Sequence, residues 1–201
     1  MAFSEKAFAL IVEAEGLDQP GKWPGGDSGI TIGIGYDLGY VTVDQFESDW
    51  GPLLTAQTRE KLKTAIGLRG AKAKNKAPDF KSIRIKREHA EAVFRERSIP
   101  LYTFRTEQAF PGVELLPLDA HGALVSLVFN RGTSMVDKPG EDRRREMRAI
   151  RDAVPRQDLR EIALQIRSMK RLWEGKGLDG LIKRREAEAL LVESCIPAVI
   201  P

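Results

Sequence analysis

Gly25-Gly26-Asp27-Ser28-Gly29-Ile30-Thr31-Ile32-Gly33-Ile34-Gly35-Tyr36-Asp37-Leu38-Gly39 is the stretch that decides the reading of this chain. Glycine weakens a strand and marks a bend, a bulge or a close approach to another group. So many glycines in fifteen residues therefore describe a turn-rich loop and hairpin, not a packing element. Between them stand one hydroxyl, Thr31, and two carboxylates, Asp27 and Asp37. Residues 28–36 alternate in part and suit a short twisted hairpin. Upstream, Phe8, Ile11 and Val12 recur at helical spacing after Ser4, a good N-cap, and the helix ends in Glu13-Ala14-Glu15-Gly16. A helix-borne glutamate beside a glycine-rich hairpin with a threonine and an aspartate is a way to build a site for acid–base hydrolysis.

Working outward, short helices are expected near 42–50 and 55–66. The segment from Arg69 to Lys86, rich in Lys, Ala and Gly, reads as an exposed irregular connection between two lobes. A longer helix follows over about 86–108, with Pro100 set to break or kink it. Residues 118–130 are apolar on most faces, the mark of a helix buried in the middle of a lobe. Two amphipathic helices are expected near 141–153 and 157–170, and a last one over 178–194. The fold class is α+β and mostly helical. The chain reads as one domain, 1–201, with a small hairpin lobe (about 16–68), a larger helical lobe (about 86–201) that carries the N-terminal helix, and a cleft between the two.

Composition narrows the function. The chain has 201 residues, 30% charged and 42% hydrophobic, with a net charge of +3, ordinary values for a globular domain. The mild basic bias fits attraction to an anionic polymer. A nucleic-acid reading would rest on Arg143-Arg144-Arg145 and the Lys-rich 72–76 stretch, but the aromatic residues are not interleaved with those runs. The lone Cys195 forms no internal disulfide and reads as a small hydrophobe. No His, Cys or Asp spacing predicts a metal site, and Gly33-Ile34-Gly35 lacks the rest of a phosphate loop. No run is long enough to span a membrane, and no export signal is visible.

Three segments in the same order resemble the phage-type lysozymes. They are Glu15-Gly16-Leu17 with Thr31-Ile32-Gly33-Ile34-Gly35-Tyr36, then Gly122-Ala123-Leu124-Val125-Ser126-Leu127-Val128-Phe129-Asn130-Arg131-Gly132, then Gly177-Leu178-Asp179-Gly180-Leu181-Ile182-Lys183-Arg184-Arg185-Glu186-Ala187-Glu188. The nearer likeness is to the sub-branch that includes the lysozyme-like domain of the bacteriocin pesticin, which reads Gly-Gly-x-Ser-Gly-x-Thr-Ile-Gly-x-Gly-Tyr-Asp-Leu-Gly. That resemblance implies a lysozyme-like two-lobed fold and a catalytic set of Glu15, Thr31 and Asp37. Ordinary phage lysozymes carry their aspartate six residues before the threonine, where this chain has Gly25; Asp27 stands close by as the alternative second carboxylate. Arg184 matches the arginine that pairs with the catalytic glutamate, Phe129-Asn130-Arg131-Gly132 resembles a cleft-lining segment, and Tyr36 and Asn130 are the candidates to hold the glycan.

The chemistry suits those residue types. Breaking a β-1,4 glycosidic bond needs a proton for the leaving oxygen and a carboxylate acting on the opposite face, with carboxyls about 6.5–9.5 Å apart in an inverting enzyme. A partly desolvated glutamate at a helix end fits the acid, and a threonine hydroxyl both donates and accepts, so it orients a water. Glu13 is the nearest rival to Glu15, but two residues apart on a helix is about 200° apart in direction. His121 reads as structural.

The resemblance implies a cofactor-free muramidase that cuts peptidoglycan between N-acetylmuramic acid and N-acetylglucosamine. It would be made in the cytoplasm and act on the cell wall as a phage endolysin released through a separate pore, or as an antibacterial effector delivered by a secretion machine. The expected partners are peptidoglycan glycan strands and, for an effector, an immunity protein, with no nucleic acid, no membrane insertion and a monomeric state. The rival readings are a catalytically inactive glycan-binding or phage structural module, and a lytic transglycosylase.

Overall fold

The computed structural model describes residues 3–197. It is mostly helical with one small antiparallel sheet, and none of its helices is long and apolar enough to cross a membrane. The chain divides into two compact units, one of residues 15–99 and one of residues 1–14 with 100–201.

The unit of residues 15–99 is built around the hairpin. Strands β1 (Thr31–Ile32) and β2 (Tyr36–Asp37) pair antiparallel, with Thr31 opposite Asp37 and Ile32 opposite Tyr36. Gly33 and Gly35 take φ of +65° and +66° in the connecting turn, a conformation L side chains rarely adopt. Gly33 is also held close to the ring of Trp50 and the methyl of Ala90. A further backbone bridge joins Asp18 to Gly33 through both N–H···O bonds, 2.6 and 3.0 Å. Helices α2 (Val43–Trp50) and α3 (Ala56–Lys63) start at Thr42 and Thr55, whose hydroxyls accept from the Gln45 and Thr58 amides, as N-caps do.

The segment after Arg69 is not an irregular connection. It forms α4 (Gly70–Lys76) and a 3₁₀ turn, Ala77–Phe80. Ala73, Ala77 and Phe80 are buried, as are Ile83 and Ile85. Those positions repeat at i, i+4 and i+7, so a helical stripe of small apolar residues was hidden among the lysines. The Gln19 side-chain amide fixes the end of this stretch by donating to the Ile85 carbonyl (3.1 Å) and accepting from its N–H (2.8 Å). The compact unit accordingly runs on to Ile99 rather than stopping near residue 68.

Its last elements are α5 (Arg87–Val93) and a π turn, Phe94–Ser98. The turn runs without a break into α6 (Ile99–Ala109), so 87–109 is one continuous helical stretch close to the expected 86–108; Pro100 does not end it, and the disturbance is the π turn just before the proline. Proline has no N–H to give there; the wider turn accommodates it, with the Ile99 N–H reaching back five residues to the Phe94 carbonyl.

The other unit is helical. Ser4 caps α1 (Glu5–Glu15), accepting from the Ala7 N–H at 3.1 Å. Ala7, Phe8, Ile11 and Val12 are its buried face. In α7 (Leu118–Arg131) every residue from Ala120 to Val128 is buried. Gly122 is required there, because a Cβ would collide with the Ala7 methyl of α1. The other helices are α8 (Arg145–Ala153), α9 (Leu159–Ser168) and α10 (Asp179–Glu193); α10 packs on both α7 and α9, and α8 packs on α9. The core is the apolar cluster of Phe110, Leu124, Leu127, Ile150, Ile162, Ile166 and their neighbours.

A buried polar network crosses this core. The Ser126 hydroxyl donates to Glu188 Oε1 (2.6 Å), and Arg185 Nη2 donates to the same oxygen (2.8 Å). Arg184 Nη2 donates to the Ser126 carbonyl at 3.1 Å. Buried charge of this kind persists only where partners surround it.

Candidate functional site

Glu15 closes α1 directly before Gly16, whose φ of +73° turns the chain out of the helix. This is the left-handed glycine that ends many helices. Glu13 is exposed and Glu15 half-buried, so the two point apart as helical spacing requires. Glu15 groups with the hairpin unit while the rest of α1 groups with the helical one.

Thr31 is buried at 7% exposure, and its partner across the ladder is Asp37. The Asp37 carboxylate is held by backbone amides. The Gly29 N–H donates to both of its oxygens at 3.0 Å, and the Gly39 N–H donates to Oδ1 at 2.8 Å. Asp37 thereby N-caps the 3₁₀ turn Leu38–Tyr40 and fixes the glycine loop to the hairpin. Gly29 can only be glycine at this approach, since a Cβ would collide with Asp37 Oδ1 and the Gly39 amide.

Asp27 lies differently. It is exposed, accepts from the Tyr40 hydroxyl at 3.1 Å and lies 3.5 Å from Arg69 Nη1. The loop is further tied down where the Gly70 N–H and the Trp23 indole N–H both donate to the Ser28 carbonyl, at 3.0 and 2.9 Å. Lys74 lies over the Trp23 ring and Arg69 over the Tyr40 ring, 5.7 and 5.0 Å from the centroids. Aromatic and basic residues that are apart in sequence thus meet on this loop.

Tyr36 is half-buried and hydrogen-bonded inward. Its hydroxyl donates to Asp49 Oδ2 at 2.9 Å, and its ring packs edge-on to Trp50 at 5.7 Å. Asp49 is in turn ion-paired with Arg97, which also donates to the Ser48 hydroxyl at 2.7 Å. Burial, and then the Asp49 carboxylate, push the Tyr36 phenol well above its ordinary range.

The hairpin unit holds a further acidic residue that local sequence does not single out. Asp18 sits three residues after Glu15, half-buried, with Oδ2 accepting from the Gly35 N–H at 3.2 Å. Burial raises its pKa, the Gly35 amide opposes that, and the negative charge of Glu15 raises it further. A carboxylate displaced by burial and by a neighbouring acid is the pattern that acid–base sites use. In the sequence, Asp18 is one polar residue in Leu17-Asp18-Gln19-Pro20; only the bridge to Gly33 brings it to the hairpin turn.

The hairpin unit therefore contains Glu15, Asp18, Thr31, Tyr36 and Asp37. Asn130 and Arg184 belong to the helical unit. Asn130 is exposed in the last turn of α7. Arg184 is buried at 6% exposure and bonds to Ser126 and to Glu188, 3.3 Å away. Among the described residues, no cluster of three or more His, Cys, Asp or Glu could hold a metal ion.

Residues 14–103 match a family described only as a domain of unknown function, DUF8812. The matched range is under half of the chain and nearly coincides with the compact unit of residues 15–99. A comparison with curated proteins returns no match.

Proposed function

We propose that this protein is a lysozyme-like peptidoglycan hydrolase, cutting the β-1,4 bond between N-acetylmuramic acid and N-acetylglucosamine. The observation that carries the reading is the union, in one compact unit, of a half-buried helix-terminal Glu15 with the hairpin on which Thr31 and Asp37 stand opposite each other. Glu15 gives its proton to the leaving oxygen. Asp37, immobilised by two backbone amides, and the Thr31 hydroxyl orient the attacking water. Positioning without reorganisation is what such a carboxylate offers a hydrolase. Asp18, whose own proton affinity is raised by burial and then by the charge of Glu15, lies close enough to the acid to feel it. The wall is reached either as a phage endolysin or as a delivered antibacterial effector.

The test compares wild type with Glu15→Gln for turbidity loss of purified peptidoglycan. The variant retains its circular dichroism spectrum and loses at least about 100-fold in rate, the share of a general acid. Lysis by Glu15→Gln at the wild-type rate would sink the assignment. Product analysis separates hydrolysis, which leaves a reducing end, from a transglycosylase, which leaves an anhydro-sugar.

A further inference from the structure

Three arginines gather at the C-terminal end of α7, and none of them has an acidic partner among the ion pairs of the described residues. Arg131 is the last residue of α7, with Arg143 and Arg144 on the loop leading into α8. They are joined through each other's backbone: Arg131 Nη2 donates to the Arg143 carbonyl (2.6 Å), and Arg144 Nη1 donates to the Arg131 carbonyl (3.0 Å). The nearby carboxylates are engaged elsewhere. Glu146 and Asp142 take Arg145 and Arg171. Asp137 takes Arg148 at 2.9 Å and the backbone N–H groups of Arg143 and Arg144 at 2.6 and 2.8 Å. The triple-arginine run is thus split by the fold: Arg145 is neutralised, while Arg143 and Arg144 keep their charge.

The cluster is rigid and short of acceptors. Asp137 fixes the loop backbone, and the Arg131 guanidinium lies 5.1 Å from the centroid of the buried Trp173 ring. Arg131 Nε is buried with no hydrogen-bond partner, although a buried donor normally finds one. Arg143 and Arg144 are half-exposed, and the exposed Asn130 adjoins them. Burial, with the charges of Arg144, Arg185 and Arg143, pushes Arg131 down to about 10, Glu146 opposing. An anion would relieve that repulsion.

We infer that Arg131, Arg143 and Arg144 form an oxyanion-binding site, and that its occupant is a carboxylate on the peptide stem of the wall polymer. Guanidinium forks match a carboxylate in shape as well as charge. A stem carboxylate is the anion that peptidoglycan places beside its glycan, so the choice of occupant rests on the proposed wall substrate; the site itself rests on the arginines.

The experiment uses the whole protein and three probes: a disaccharide–tripeptide muropeptide, the same molecule with its stem carboxylates amidated, and inorganic phosphate. Binding is followed by calorimetry and by the NMR signal of the Arg131 Nε–H. The expected result is a shift of that signal on adding muropeptide, and binding at least about tenfold weaker for the amidated form. Because Arg143 makes no side-chain hydrogen bond or ion pair among the described residues, Arg143→Ala should leave the melting temperature unchanged and weaken muropeptide binding at least about tenfold, the low end for a hydrogen bond between charged groups. Equal binding of the amidated probe, or an unmoved Arg131 signal, would overturn the proposal. Phosphate binding at the cluster without muropeptide binding would overturn the carboxylate assignment. Wall lysis is read separately: carboxylate binding without lysis counts against the hydrolase reading alone, and lysis with no effect of Arg143→Ala on binding counts against this site alone.

Discussion

Thr31 and Asp37 are direct partners across the two-residue antiparallel ladder, so their side chains leave the same face of the hairpin. The Asp37 carboxylate nevertheless also accepts from the Gly29 and Gly39 amides. It has a structural role whatever its part in chemistry, and the two roles can be separated. Asp37→Ala leaves both amides without their charged acceptor and should cost about 2–3 kcal/mol of stability in urea unfolding. Asp37→Asn keeps one acceptor oxygen and should recover most of that loss. If Asp37 acts on the water, Asp37→Asn is folded yet at least about 100-fold slower on peptidoglycan.

Asp18 provides a pH-dependent prediction. Its folded pKa is raised above the ordinary 3.8, by burial first and by Glu15 as well. A carboxyl with a raised folded pKa favours folding below its unfolded value, and that contribution is lost as pH rises through the folded value. At pH 7 the ionised group is therefore a net cost. Asp18→Asn keeps an acceptor for the Gly35 N–H and should be more stable than wild type at pH 7, by less than about 1 kcal/mol because solvent screens a half-exposed group. The difference should close below about pH 4. Carboxyl carbon NMR should also show Asp18 titrating at lower pH in Glu15→Gln, without reaching its unfolded value, since burial remains.

His121, 1% exposed on α7, carries a titration of the opposite sign. Burial lowers its pKa below the ordinary 6.5, with Glu107 and Glu114 opposing. The unfolded chain therefore takes up a proton before the folded one. Stability present above about pH 6.5 is lost as pH falls toward the folded pKa. Between pH 7 and pH 5 the wild type should therefore lose stability as pH falls. His121→Leu should remove that part of the slope, measured by urea unfolding at several pH values.

Glu188 anchors the buried network of the helical unit, accepting from Ser126 and Arg185 through one oxygen. Glu188→Ala leaves buried arginine charge without its acid and should destabilise by about 3–5 kcal/mol. Glu188→Gln should cost less, because a neutral acceptor oxygen remains. Thermal unfolding followed by circular dichroism distinguishes the two.

The local signals were readable without any structure. Ser4 as a cap, Gly16 as a stop, a short hairpin within residues 28–36 and the buried helix over 118–130 all follow from periodicity and turn chemistry, which depend on neighbours in sequence. Other features depend on groups far apart in the chain. The helix after Arg69 is hard to read from sequence because its apolar stripe is made of alanines, which look like linker until Phe80, Ile83 and Ile85 bury beside them. Asp18 gained its place through the bridge to Gly33, and its altered proton affinity through burial and Glu15. The three consecutive arginines look alike in sequence, yet only the fold pairs Arg145 with Asp142 and Glu146 and leaves Arg143 and Arg144 beside Arg131. Most helix and hairpin segments, α4 excepted, can be read from local sequence, since propensity and capping act over a few residues. The tertiary structure decided which charges are neutralised and which carboxylates interact, because desolvation and ion pairing are set by what packs against a group and not by its neighbours along the chain.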